Sequence, residues 1–221
     1  MKVLVACEFS GVVRDAFRRL GHDAYSCDIL STPNNSNYHI KDDVMNHLND
    51  GWDMMIAHPP CTYLTITGNK WFYHPDDHDL PVKDRRPHPR FPNRQKHRVD
   101  AIKFFLELGN IKIDKICVEN PVGIMSTFWR KPDQIIQPFE FGHTEAKKTC
   151  LWLKNLPKLI STKIVTPEYT VFKSGKRMAT WYMNAVKLPP KEREMLRSTT
   201  FQGIAEAMAD QWGSQSFRSG K

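Results

Sequence analysis

A cysteine behind two prolines at the end of an apolar run is a candidate nucleophile, and Cys61 in WDMMIAHPPC (52–61) is such a residue. Neither proline can donate a ladder hydrogen bond and each fixes φ at about −65°, so the strand must stop there. The thiol is left on a rigid turn, where partial exposure and a neighbouring dipole or cation would lower its pKa. Alone, Cys61 reads better as a small buried apolar residue after a chain stop. Its weight comes from Glu119, which closes a second short apolar run, KICVE (115–119). A thiolate paired with a carboxyl group that can hold or donate a proton suits nucleophilic addition to an electron-poor ring.

Further acids and a small-residue turn belong to the same pattern. Ser10-Gly11 opens a helix after the first strand and can let a ligand approach the backbone and the helix N-terminus. Asp28 closes a second strand, where a carboxylate accepts hydrogen bonds from ribose hydroxyls, and Asp43 can serve an adenine amino group in the same way. Each acid alone reads as a solvated turn residue; together at one edge they point to a nucleoside-bearing cofactor. The dinucleotide fingerprint GxGxxG is absent, and the lack of GxxxxGK counts against a kinase.

The elements that must position these groups follow from periodicity. KVLVAC (2–7) reads as a buried strand, and Val12 to Leu20 as an amphipathic helix with Ser10 as N-cap and Gly21 as its end. DAYSCD (23–28) is a strand, 31–39 an exposed loop, and VMNHLND (44–50) a short helix before the strand that starts at Trp52. After Cys61 the pattern lapses for about thirty residues rich in proline and charge, the mark of a lid or a disordered segment. Helix is expected over 94–108, with Val99, Ile102, Phe105 and Leu106 on one face, then a strand stopped by Asn120-Pro121 and another over 148–153. Residues 154–188 are irregular with strand-like pieces, helices are expected over 190–197 and 203–212, and 214–221 reads as a frayed tail. This alternation predicts an α/β fold, a doubly wound and mostly parallel sheet with ligands at the carboxyl ends of its strands.

Composition sets the outer bounds. The 221 residues are 40% hydrophobic and 25% charged, as in a globular protein with a sizeable core. No apolar run reaches membrane-spanning length and the first residues lack a signal-peptide core, so a cytoplasmic location is expected. Five scattered cysteines without CxxC spacing argue against a disulfide framework and a zinc site, and the four besides Cys61 read as buried thiols. A net charge of +8 favours an anionic partner, nucleic acid first. His74, His78, His88 and His97 share a loop with Asp76, Asp77 and Asp79; a solvated basic loop is a better reading than a metal site, since no pair has ligand spacing on a helix. Trp71, Phe72 and Tyr73 either stack on bases or anchor that loop.

FSG after the first strand, PPC followed by TYLTITGNKWF, the EN of VENP and a glycine-containing final helix resemble, in order, the motifs of DNA (cytosine-5) methyltransferases. The resemblance covers most of 1–153 and, more faintly, 198–213, and is closest to small, often phage-encoded members. It implies a Rossmann-like class I methyltransferase fold, with 1–153 plus 199–213 as the catalytic domain and 154–198 as a small, irregular target-recognition region. It implies S-adenosylmethionine held by Phe9, Ser10, Gly11, Asp28, Asp43 and Pro60. Cys61 would attack C6 of a cytosine flipped out of DNA, Glu119 would engage N3, and C5 would take the methyl group. The segment after Cys61, with Lys70, Arg85, Arg86, Arg90, Arg94 and Lys96, would be a mobile loop that touches phosphates.

Three features depart from the family pattern. Glu145-Ala146-Lys147-Lys148-Thr149 stands where Gln-x-Arg-x-Arg is usual, so Lys147 would have to supply the contact to the cytosine carbonyl; Pro121 replaces a valine; and 154–198 is about half the expected recognition length. The short recognition region keeps two rivals open within enzymes, methylation of a free cytosine nucleotide and methylation of nucleic acid, RNA included, with little sequence preference. A rival of another class is a catalytically silent binder, for which the Cys61 and Glu119 pair has no use. Amino-group methylation would call for an aromatic residue where Cys61 stands.

Overall fold

The computed structural model describes residues 1–214; the expected frayed tail lies, from residue 215 onward, outside the described residues. Strands β1 (Lys2–Ala6), β2 (Asp23–Asp28), β3 (His39–Lys41), β4 (Met54–Ala57), β5 (Lys115–Pro121), β6 (Gln134–Ile136) and β7 (Thr149–Lys154) form one sheet in the order β3-β2-β1-β4-β5-β7-β6. Neighbours pair in parallel from β3 to β5, whereas β7 runs antiparallel to both β5 and β6. Seven strands in this order, with β7 alone reversed, make the expected doubly wound, mostly parallel α/β sheet.

Side chains of successive strand residues point to opposite faces, and β1 shows why its whole run is apolar. Val3 and Val5 meet helices α1 (Val12–Arg19) and α6 (Gln202–Gly213) through Val13, Phe17, Ile204, Met208 and Trp212. Leu4 and Ala6 meet helix α2 (Arg94–Asn110) on the other face through Ile102, Phe105 and Leu108. The face of α2 expected to carry Val99 is turned by a fraction of a turn: Val99 is exposed and Leu108 takes the buried place. Helix α3 (Met125–Phe128) follows β5, and the 154–198 region holds a hairpin, β8 (Tyr169–Val171) with β9 (Arg177–Ala179), then helices α4 (Thr180–Val186) and α5 (Pro190–Ser198).

Several boundaries depart from the periodicity. The expected loop over 31–39 ends in edge strand β3, and the short helix before β4 is a single 3-10 turn, Val44–Asn46. β5 runs through Asn120-Pro121 instead of stopping before it, because Pro121 sits at the strand terminus opposite Thr149, where a missing N–H costs least. The turn after β1 is strained: Cys7 has φ 58°, a left-handed conformation that is uncommon for a residue with a side chain. Cys27, Cys117 and Cys150 are buried as expected, while Cys7 is only half-buried.

The segment after Cys61 is neither open nor structureless. Arg94, at the start of α2, is 8% exposed and donates from its guanidinium to the carbonyl of Thr62 at 2.8 Å, with Phe72 and Tyr63 within 5.1 Å of its charge centre. Arg98 stacks on Phe72 at 3.5 Å and bonds the Tyr63 carbonyl and Asn69. Arg86 pairs with buried Asp77, and Arg85 donates to the carbonyls of Leu80 and His78. Trp71 packs against His88 and Phe91, and Phe72 is buried, so this aromatic run anchors the segment to the domain. Among the described residues no helix is long and apolar enough to cross a membrane, and no group of three His, Cys, Asp or Glu side chains could hold a metal ion.

Candidate active site

Strand pairing brings Glu119 and the start of the turn that carries Cys61 to one edge. β4 and β5 are parallel with Ala57 opposite Val118, so the next residues, His58 and Glu119, emerge side by side at the carboxyl ends. His58 Nδ1 lies 2.9 Å from Glu119 Oε2, with only 7% and 16% of the two side chains exposed. Asn120, one residue further, donates from Nδ2 to the carbonyl of Pro59 at 2.7 Å and so ties the end of β5 to the Pro-Pro turn that carries Cys61. The amides of Leu64 and Thr65 then donate to the Cys61 carbonyl at 3.0 and 3.1 Å, closing a turn around the cysteine. Thr65 bridges to Gly123, and the Ile124 amide donates to the Leu64 carbonyl at 2.9 Å. Only glycine permits that contact, since a Cβ at 123 would stand 2.2 Å from the Leu64 oxygen.

Cys61 and Glu119 share an electrostatic environment with Lys147. The thiol is half-buried, and burial first, the Glu119 carboxylate second, push its pKa up against the pull of Lys147 and Arg197. This corrects the expectation of a lowered thiol pKa: at neutral pH Cys61 is held as the thiol. Burial alone would raise Glu119, yet the hydrogen bond and charge of His58, and after them Lys147, bring its carboxyl below the ordinary value. Glu119 and Lys147 line a small cleft with Thr149 and the stretch Ser198–Phe201, and Lys147 Nζ donates to the Arg197 carbonyl at 2.8 Å. The lysine thus reaches the cleft that holds Glu119 while its position is fixed by the end of α5.

The turn expected to receive a ligand at the helix N-terminus is already engaged by the chain itself. Glu8, 4% exposed, accepts from the amides of Val13 at 2.7 Å and Arg14 at 3.2 Å, so its carboxylate satisfies two free donors of α1. Ser10, expected as the cap, has its hydroxyl 3.5 Å from the Val12 amide, and Gly11 at φ 76° makes the entry. A side chain at Gly11 would collide with the guanidinium of fully buried Arg14. Of the turn 9–11, Phe9 and Gly11 are buried and Ser10 is half-buried. Burial raises the Glu8 carboxyl, offset in part by His58 and the two amides.

The residues beyond β2 and β3 suit a nucleoside. Asp28 is half-buried and accepts from the Leu30 amide at 2.9 Å through one oxygen. Asp43 is exposed, its Oδ1 taking the Met45 amide at 3.0 Å. Directly after Asp28, Ile29 is 72% and Leu30 53% exposed, an aliphatic surface of the kind that covers a purine ring. Sequence reading passed over these two because an apolar pair in a turn has no period. Pro60 is exposed and Phe9 buried. Of the basic residues expected at nucleic acid, Lys70, Arg90 and Lys96 are exposed, whereas Arg85, Arg86 and Arg94 are committed to bracing the segment.

No protein-family model and no curated protein matches the chain. Among solved structures it is similar to a putative DNA modification methyltransferase encoded within a prophage of E. coli, at 14% identity and a TM-score of 0.43, over 86% of this chain and 56% of that one. It is also similar to a mutant DNMT2 of Spodoptera frugiperda, at 15% identity and a TM-score of 0.38, over 76% and 55% of the two chains. The chain therefore spans little more than half the length of either.

Proposed function

We propose that this protein transfers a methyl group to C5 of cytosine in DNA. The observation that carries the reading is the convergence of Cys61 and Glu119 on adjacent parallel strand ends, locked by Asn120 and flanked by Lys147. S-adenosylmethionine would supply the electrophilic methyl group, held by the turn Phe9-Ser10-Gly11, by Asp28 and Asp43, and by Pro60 and the Ile29-Leu30 surface. The Cys61 sulfur, once deprotonated, would add to C6 of an extruded cytosine while Glu119 engages N3 and Lys147 the ring carbonyl. Electron density driven into the ring makes C5 nucleophilic. Loss of the C5 proton and of the C6–S bond after transfer restores both the ring and the thiol.

In this reading 1–153 with 199–213 is the catalytic body and 154–198 a compact recognition region whose end, Ser198, lines the Glu119 cleft. Lys70, Arg90 and Lys96 would meet phosphates. The test is incubation with methyl-labelled S-adenosylmethionine and, separately, duplex DNA, RNA and dCMP. Label at C5 of cytosine in DNA, lost in Cys61→Ser, is the expected result. Label in dCMP or RNA alone would replace DNA as the substrate, and no label in any of them would overturn the reading.

A further inference from the structure

His58 takes no part in the reaction drawn so far, yet it is the group in closest contact with Glu119. Its Nδ1 stands 2.9 Å from Glu119 Oε2, and its Nε2 is buried and meets no hydrogen-bond partner among the described residues. A buried ring nitrogen without a partner is costly, and a structure that keeps one usually has a use for the ring beyond packing. The ring is flanked by acids from the strands on either side: Glu119 after β5, and Glu8 after β1, whose carboxyl feels the His58 charge. The cations that act on the same pair of carboxylates are Lys147, opposite Glu119, and Arg14, beside Glu8, and the Arg14 guanidinium already bonds Asp15 and Ser26. The thiols of Cys61, Cys117 and Cys150 feel the Glu119 charge, and burial pushes all three up. They therefore stay protonated and do not compete with His58 as the partner of Glu119.

We propose that His58 holds the proton that Glu119 delivers to N3 of the pyrimidine, acting as a positioning and proton-storing residue for that carboxyl group. The inference rests on the reaction proposed above. In the proposed resting pair the ring would carry two protons, one on Nε2 and one on Nδ1, and the Glu119 carboxylate accepts the Nδ1–H bond. When the Cys61 sulfur forms its bond to C6, the C5=C6 π pair moves into the ring and N3 becomes basic. Glu119 takes the Nδ1 proton and delivers it to N3, leaving Glu119 a carboxylate again and His58 neutral with its remaining proton on Nε2. On elimination the C6–S bond breaks, N3 gives its proton back to Glu119, and Glu119 returns one to Nδ1, so no net proton is consumed at this pair. The arrangement answers a difficulty of the site: Glu119 is held below the ordinary carboxyl range and by itself would have no proton to give at neutral pH.

The test uses the full chain and two substitutions. His58→Asn sets an amide N–H near the position of Nδ1, keeps Glu119 in place and removes the titratable proton. Turnover is expected to fall about tenfold or more at neutral pH, with the alkaline limb of the wild-type pH–rate profile moved to lower pH and the melting temperature little changed. A wild-type rate and profile in His58→Asn would overturn the proposal while leaving methyl transfer intact. Nitrogen-15 NMR of the histidines needs no substrate, so it separates this proposal from the reaction it rests on. In Glu119→Gln the Nδ1–H proton resonance of His58 is expected to move upfield, because the 2.9 Å hydrogen bond to the carboxylate is replaced by a weaker one to a neutral amide. An identical Nδ1–H resonance of His58 in the wild type and Glu119→Gln would overturn the proposal even if methylation were demonstrated.

Discussion

Gly123→Ala tests whether the segment after β5 fixes the turn that carries Cys61. An alanine Cβ would lie 2.2 Å from the Leu64 carbonyl oxygen and 3.2 Å from the Thr65 Cα, and real Cβ atoms do not approach closer than 3.0 Å, so the two segments must part by at least 0.8 Å. That movement stretches the 2.9 Å bond from the Ile124 amide to Leu64, worth about 1 kcal/mol, and adds overpacking strain of about 1–3 kcal/mol. The φ of Gly123 is not left-handed, so alanine also stiffens the unfolded chain and returns about 0.4–1 kcal/mol. A net loss of about 1–3.6 kcal/mol lowers the melting temperature of a chain this size by roughly 2–14 °C. Because the Leu64 and Thr65 amides also hold the Cys61 carbonyl, the sulfur should shift by a comparable distance, which for a positioned nucleophile costs about a hundredfold in rate. Calorimetry reads the first effect; turnover and the alkylation rate of Cys61 read the second. A melting temperature within 1 °C of wild type together with unchanged turnover and alkylation would refute the argument.

Cys61→Ser should abolish methyl transfer while cofactor binding, measured by titration calorimetry, stays near wild type. Alkylation of Cys61 by iodoacetamide should be slow at neutral pH and climb as pH rises past the ordinary thiol range, since burial and Glu119 hold its pKa up; in Glu119→Gln the climb should begin at lower pH, followed by mass spectrometry. Replacing Lys70, Arg90 or Lys96 by alanine should each reduce the salt dependence of DNA affinity by about one charge, whereas Arg94→Ala should lower the melting temperature instead, because that guanidinium is spent on Thr62 and three aromatic rings. Arg86 holds the Asp77 carboxyl down to about 2, so the pair's contribution is complete above the ordinary Asp value and lost as pH falls through about 2. Trp71 fluorescence should report loosening of this segment over that window, and Asp77→Asn should show it already at neutral pH.

The parts of the fold visible in the sequence are those in which local pattern and tertiary role coincide. β1, α1 and β2 fall where continuous apolar runs and a helical stripe put them. The three-residue edge strands β3 and β6 are too short to carry a period, and their pairing comes wholly from neighbours. Glu8 sits in the turn after β1, and its role as acceptor for two helix amides follows only from the chain folding back onto it. The cage around Arg94 and Arg98 was hidden because arginine among prolines looks like an exposed charge, and only the approach of Thr62, Tyr63 and Phe72 reveals two stems and heads used as mortar. His58 beside Glu119 was invisible for another reason: a contact across strands is set by register, which neither run encodes alone.

The packing of α6 on α1 carries a consequence for biosynthesis. Val13, Ala16 and Phe17 are covered by Ile204, Ala205, Met208 and Trp212, which the ribosome reaches some 190 residues later. At about 5–20 residues per second this leaves the apolar flank of α1 without its cover for roughly 10–40 s. During that interval the nascent sheet offers an open greasy face to chaperones, and the N-terminal half reaches its native packing only when α6 emerges.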